Sequence, residues 1–170
     1  KTNDISKVNL KSNINHEMFK WLKVGANISG NYLHNNRIPG ADLGSTIIGR
    51  AVQQRPFDRP YKPNGGYYTG GTDELLLHNA VQILSEETSY TDNYRFIGSF
   101  WAEAQIIKGL TVRASYNNDS AYTYDYIYYN QNHPYAADKG RILDRNRFVM
   151  TNTIDLYANY NRKIGEDFEL

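Results

Sequence analysis

Four histidines, two carboxylate pairs, a run of tyrosines and a set of odd-numbered polar residues are the groups in this 170-residue sequence with the chemistry to act on a ligand. His16, His34, His78 and His133 stand far apart, with no H-x-x-x-H or similar spacing. They are expected to be solvated side chains rather than metal ligands. Asp73-Glu74 and Glu86-Glu87 are adjacent pairs that point differently on any regular element, whereas a glycosidase needs two carboxylates facing across a cleft. No Gly-rich phosphate loop or nucleophile elbow appears. The sequence therefore predicts no catalytic residue, no cofactor and no metal, and the chain is not expected to be an enzyme.

Binding is a better prospect. "YTYDYIYYN" carries Tyr122, Tyr124, Tyr126, Tyr128 and Tyr129, and a tyrosine face can stack on a sugar ring while its hydroxyl bonds it. Four of these share an even numbering and are expected to extend a strand whose outer face is aromatic. Tyr129 falls on the other parity and joins a second set: Arg95, Trp101, Glu103, Arg113 and Asp155. Such a mixed-charge wall with one Trp either lines a solute path or packs on another part of the protein. Arg and Glu on adjacent strands can equally pair across the ladder.

The elements that must hold these residues are strands. In "KWLKVGANISGNY" (20–32), Leu22, Val24, Ala26 and Ile28 alternate with Lys23, Asn27, Ser29 and Asn31, which gives one apolar and one polar face. Strands are predicted near 8–16, 22–32, 94–106, 110–116 and 148–160. Their even positions read V-L-S-I-H, L-V-A-I-G-Y, Y-F-G-F-A-A-I, L-V-A-Y and F-M-N-I-L-A-Y, without one Asp, Glu, Lys or Arg. The charges Lys11, Lys23, Arg95, Glu103, Arg113 and Asp155 all fall on odd positions. Composition alone does not say what the apolar face touches. Hydrophobic content is 40%, net charge +1 and mean hydropathy −0.67, so nothing pulls the chain toward nucleic acid. No cysteine is present, and no apolar run reaches the length of a transmembrane helix.

Connections settle the preference. "EMFKW" and "IKG" are tight turns, whereas 33–93 and 117–147 are predicted as long loops, and Pro39, Pro56, Pro60 and Pro63 lie in the first. Within it "TDELLLHNAVQIL" predicts a short helix capped by Thr72, with Asp73 and Glu74 in its first turn. Short turns at one end and long loops at the other suit an outer-membrane barrel. A strand of about 11 residues rises ~36 Å, which at ~45° tilt covers ~25 Å of membrane. Aromatics collect at strand ends, with Phe19 and Trp21 at one and Tyr32, Tyr94, Tyr116 and Phe148 at the other. The expected fold is all-β, about five to six antiparallel strands of a transmembrane β-barrel with long extracellular loops. The chain has no initiating Met and stops at "EDFEL". Even the smallest membrane barrels need about eight strands, so it is expected to be an excerpt of a larger barrel.

"NLKSNINHEM", "KWLKVGANISGNY" and, much later, "RFIGSFWAEAQIIKGLTVRASYNND" together resemble the barrel of SusC/RagA-type TonB-dependent transporters of Bacteroidetes. "RPFDRPYKPNGGYY" is similar to that family's proline-rich external loop, with Pro63-Asn64-Gly65-Gly66 at its turn. The resemblance implies a barrel of roughly 22 strands in the outer membrane of a Gram-negative cell. The plug domain and TonB box of the family are not present in residues 1–170. It further implies nutrient import, glycan uptake before peptide uptake, energised through the TonB complex. A SusD-like surface lipoprotein would serve as lid, and outer-membrane lipid would surround the wall. The alternative is a soluble all-β carbohydrate- or oligonucleotide-binding module, for which 19 Lys+Arg against 18 Asp+Glu leave no basic stripe.

Overall fold

Five strands follow one another in the chain and stand side by side in the same order. The computed structural model describes residues 3–37, 47–68, 78–136, 139–161, 163–164 and 168–169. Strands β1 (Ile5–Phe19), β2 (Leu22–Asn36), β3 (Glu87–Ile107), β4 (Leu110–Tyr129) and β5 (Arg141–Tyr160) form one open antiparallel sheet in the order β1-β2-β3-β4-β5. Helices α1 (Ile47–Gln53) and α2 (Ala80–Glu86) lie between β2 and β3 in sequence. A second, two-stranded sheet pairs β6 (Lys163–Ile164) with β7 (Phe168–Glu169), Lys163 opposite Glu169.

Contacts across the ladders join residues of equal parity. Gly25 meets Trp101, Tyr32 meets Tyr94, Ser99 meets Asn117, Glu103 meets Arg113 and Ser115 meets Asp155. Odd and even numbers therefore mark the two faces of the whole sheet, which is why charge segregates by parity across strands far apart in sequence. The register is set at the tight ends. Lys20 and Trp21 turn β1 into β2, and Lys108-Gly109 turn β3 into β4, with Gly109 at φ +91° where a side chain would be strained. The carbonyl of Asn161 also occupies the space a Cβ at 109 would need.

At the other end the strands outrun their sequence boundaries. β3 begins at Glu87 rather than 94, β4 continues to Tyr129 rather than 116, and β5 begins at Arg141 rather than 148. The long connections shrink to 37–86 and 130–140. Alternation simply continues through "YTYDYIYY", with Tyr90 stacked on Tyr126 and the Thr91 hydroxyl donating to Asp125 Oδ1 at 2.6 Å.

The chain divides into two compact units. The strand-body unit comprises Lys7–Tyr32, Asn93–Tyr122 and Phe148–Leu170. Its even face is apolar and uncovered: Leu10, Ile154 and Leu156 are 73%, 79% and 74% exposed, and even on the central strand Phe96 and Phe100 remain exposed. Ile47, Ala80, Ile83 and Ala136, the buried apolar side chains of the described residues, all belong to the other unit.

That loop unit comprises Lys1–Ser6, Leu33–Asp92 and Thr123–Arg147. Helices α1 and α2 pack around Ile47, Ala80 and Ile83. Asn79, 1% exposed, caps α2, its Oδ1 accepting from Val81 N and Gln82 N. Its Nδ2 donates to Pro60 O (2.6 Å) and Tyr68 O (3.2 Å), which ties the proline-rich stretch to the helix. The helix predicted from Thr72 thus begins, among the described residues, at Ala80 with Asn79 as cap. Thr72, Asp73 and Glu74 lie outside the described residues. Pro63-Asn64-Gly65-Gly66 does form a tight turn, with Gly65 at φ +85° and a bridge between Tyr61 and Tyr67.

Candidate functional site

On the odd face of the strand-body unit, β2, β3 and β4 build a polar wall around one indole. Trp101 lies flat against Gly25, whose missing side chain leaves room for the ring. The Arg113 guanidinium sits 4.3 Å above that ring on its way to Glu103, 3.7 Å from the carboxylate. Three of the residues expected from sequence, Trp101, Glu103 and Arg113, are therefore brought together. Arg95 makes a two-pronged pair with Asp119, Nε to Oδ1 at 2.9 Å and Nη2 to Oδ2 at 2.6 Å. Asp155 belongs to a separate chain of bonds, in which Ser99 donates to Asn117 and Asn117 donates to Asp155 at 3.0 Å. Asp119, Asn117 and Gly25 were not singled out by sequence. Asp119 and Asn117 lie beyond the boundary predicted for β4, and a glycine on a polar face carries no signal until its neighbour is known.

Tyr129 stands elsewhere, in the loop unit at the end of β4, stacked on the His133 ring at 4.4 Å. Burial raises its pKa, and the nearby Glu87 carboxylate adds to the rise. His133 corrects the expectation of a solvated histidine: its side chain is wholly buried. Its Nδ1 accepts the Tyr135 N–H at 3.2 Å, and its Nε2 lies 3.6 Å from Glu87 Oε2. Around it, Gln82 Nε2 donates to Asn132 O at 2.6 Å and Asn130 N donates to Glu86 O at 2.9 Å. The 130–136 turn is thereby fastened to the α2–β3 junction. No local pattern could report this, because the burial arises between segments about 50 residues apart in sequence.

The even face of the loop unit carries the tyrosine run. Tyr90 contacts Tyr124 and Tyr126, with His34 beside Tyr90. Tyr124 is pushed up to about 12 by partial burial and by the hydrogen bond it donates to Asp144. His34 is raised, chiefly by its hydrogen bond to Asp92 at 2.7 Å. Among the described residues no group of three or more His, Cys, Asp or Glu side chains is placed to hold a metal. What the wall offers is hydrogen bonding, charge and one aromatic surface.

No family model and no curated protein sequence matches the chain. Solved structures do. The RagAB peptide importer in the "closed-closed" state matches with a TM-score of 0.72 at 22% identity, over 97% of this chain and 19% of that one. The RagAB peptide transporter matches with a TM-score of 0.72 at 23% identity, over 95% and 19%. The importer's "open-open" state gives 0.70 at 23%, over 95% and 18%. The likeness is one of fold. The chain spans about a fifth of the length of each of these structures.

Proposed function

We propose that this chain is a stretch of the wall and external loops of an outer-membrane, TonB-dependent transporter of the SusC/RagA type. The carrying observation is the strand-body sheet itself. It has an apolar face with no core over it and a polar, hydrogen-bonded face opposite. A soluble carbohydrate- or oligonucleotide-binding module would bury the apolar face. Lipid outside and an aqueous lumen inside account for both faces at once. On this reading the odd-numbered wall, Arg95, Trp101, Glu103, Arg113 and Asp155, faces the lumen, and Tyr129 lies near the external mouth. A SusD-like lipoprotein serves as lid, and TonB engages parts of the protein outside this chain. The protein transports and does not catalyse. The fold likeness to a peptide importer favours peptide cargo over the oligosaccharides favoured by sequence.

Topology tests the reading. In intact cells, single cysteines at Asn64 and Asn132 should react with a membrane-impermeant thiol reagent, and one at Lys20 should not. Labelling at Lys20 alone would reject the orientation, and equal labelling of all three in a detergent-free soluble fraction would reject the membrane.

A further inference from the structure

The apolar face of the strand-body unit is not uniform. A groove of about 370 Å³ crosses β3, β4 and β5, and its even-numbered lining is Phe100, Ala102, Ala114, Tyr116 and Ile154. On the opposite face Ser99 pairs with Asn117 and Glu103 with Arg113. That register sets Ala102 across from Ala114 and Phe100 across from Tyr116. Two small side chains therefore face each other across the ladder beside a pair of large ones. The volume lies at the lower end of small-ligand sites, ~300–1,000 Å³.

A polar chain begins at the edge of this groove. The Tyr116 hydroxyl donates to Asn152 Oδ1 at 2.8 Å, and Asn118 Nδ2 donates to the same oxygen at 2.7 Å. Ser120 in turn donates to Asn118 Oδ1 at 2.9 Å. The Asn152 oxygen is thus occupied twice, while its Nδ2 makes no hydrogen bond among the described residues. Asn152 is exposed, and its even-numbered neighbours on β5 are Phe148, Met150, Ile154 and Leu156, all exposed and apolar. Against hydrocarbon a donor without an acceptor is costly, so the molecule that covers this face must bring an oxygen to Asn152.

The groove and the free amide ask for one molecule. The groove takes a flexible apolar chain, and the amide takes a carbonyl oxygen. An acyl ester carries both, a few bonds apart. Tyr116 joins the two halves of the site, since it borders the groove and binds Asn152. It also belongs to the strand-end aromatics expected at the membrane interface, the level of a lipid's ester groups. We infer that Ala102, Ala114, Tyr116 and Asn152 form a binding site for an ester-linked membrane lipid. Its acyl chain lies over the two alanines and its carbonyl accepts from Asn152 Nδ2. That a lipid is the occupant rests on the lipid-facing reading above; the groove and the free amide select which part of it is held.

Native mass spectrometry of the intact protein, delipidated in detergent, tests the site with two probes. One is dipalmitoyl phosphatidylethanolamine; the other is its dihexadecyl ether analogue, which lacks both carbonyls. The unmodified protein should hold a single ester lipid and bind the ether at least tenfold more weakly, about 1.4 kcal/mol. Asn152→Leu should bring the ester down to the level of the ether and leave the ether unchanged. Ala114→Leu fills the groove and should weaken both probes. Ala158→Leu, the same change on the same face outside the groove, should weaken neither. Equal binding of ester and ether by the unmodified protein, or graded uptake of many lipids with no preferred first, overturns the site. So does a loss of dimer in Ala114→Leu with lipid binding unchanged, which assigns the groove to a second copy of the chain. Each of these results leaves the membrane reading to be judged by the cysteine labelling.

Discussion

The strand-body unit and the loop unit solve opposite problems with the same chain. In the loop unit, apolar side chains turn inward: Ile47, Ala80 and Ile83 form a small core, and Asn79 and Gln82 secure the turns around it. In the strand bodies the apolar residues point out and stay exposed, and the polar residues bond one another on the opposite face. The first arrangement suits water. The second leaves its stabilisation to whatever covers the even face, so the two units should respond differently to the same kind of damage.

The largest expected effect lies on the even face. Arginine in place of Ile28, Phe100 or Leu156 should cost ~2–4 kcal/mol near a bilayer midplane, whereas at Asn27 or Thr153 it should be mild. Folding of the intact protein into liposomes, followed by denaturant titration, measures both. Equal damage on the two faces would erase the contrast between units. Next comes the close contact at the polar wall. Alanine at Gly25 puts a Cβ into the Trp101 ring and should destabilise the strand bodies by ~1–3 kcal/mol. The same change in a Trp101→Ala background should be much milder, and an undiminished loss there would dissociate the two residues.

In the loop unit, Asn79→Ala removes the helix cap and frees two carbonyls, an expected loss of ~1–2 kcal/mol. Hydrogen exchange should quicken in 60–68 and 80–86 and stay unchanged in 94–106; quickening everywhere would mean the units are not independent. The smallest effect is titration of His34. Its pKa is raised by Asp92, so the stabilising contact is fully present below the ordinary value of 6.5 and is lost as pH rises through the folded value. Asp92→Asn should remove that pH dependence, which imidazole NMR shifts would register.

The faces of the sheet were legible in sequence because tight turns fix the register and the cross-strand contacts described above keep parity. Arg113 and Glu103 could be expected on one wall for the same reason. Strand ends were less legible. "SYTDN" and "YTYDYIYY" look polar by composition, but their tyrosines alternate as faithfully as the leucines and valines further down. Three-dimensional neighbours were not legible at all: the indole over Gly25, the Asp119 partner of Arg95 and the buried His133 each depend on which segments meet.

The order of the strands also sets an order of events. β1–β2 and β3–β4 close through two-residue turns, but pairing β2 with β3 requires bringing together the ends of the 37–86 connection. Loop-closure entropy grows with the logarithm of length, so that seam costs about 1 kcal/mol more than closing 130–140. Hairpins should therefore appear first and the β2–β3 seam last, with the pulse-labelled amides that join β3 to β4 protected ahead of the Gln105 amide of β3, whose N–H donates to Trp21 O. Until that seam zips, the molecule is two separate ribbons, each with an unpaired margin toward the other, and assembly is at its most vulnerable to joining the wrong neighbour.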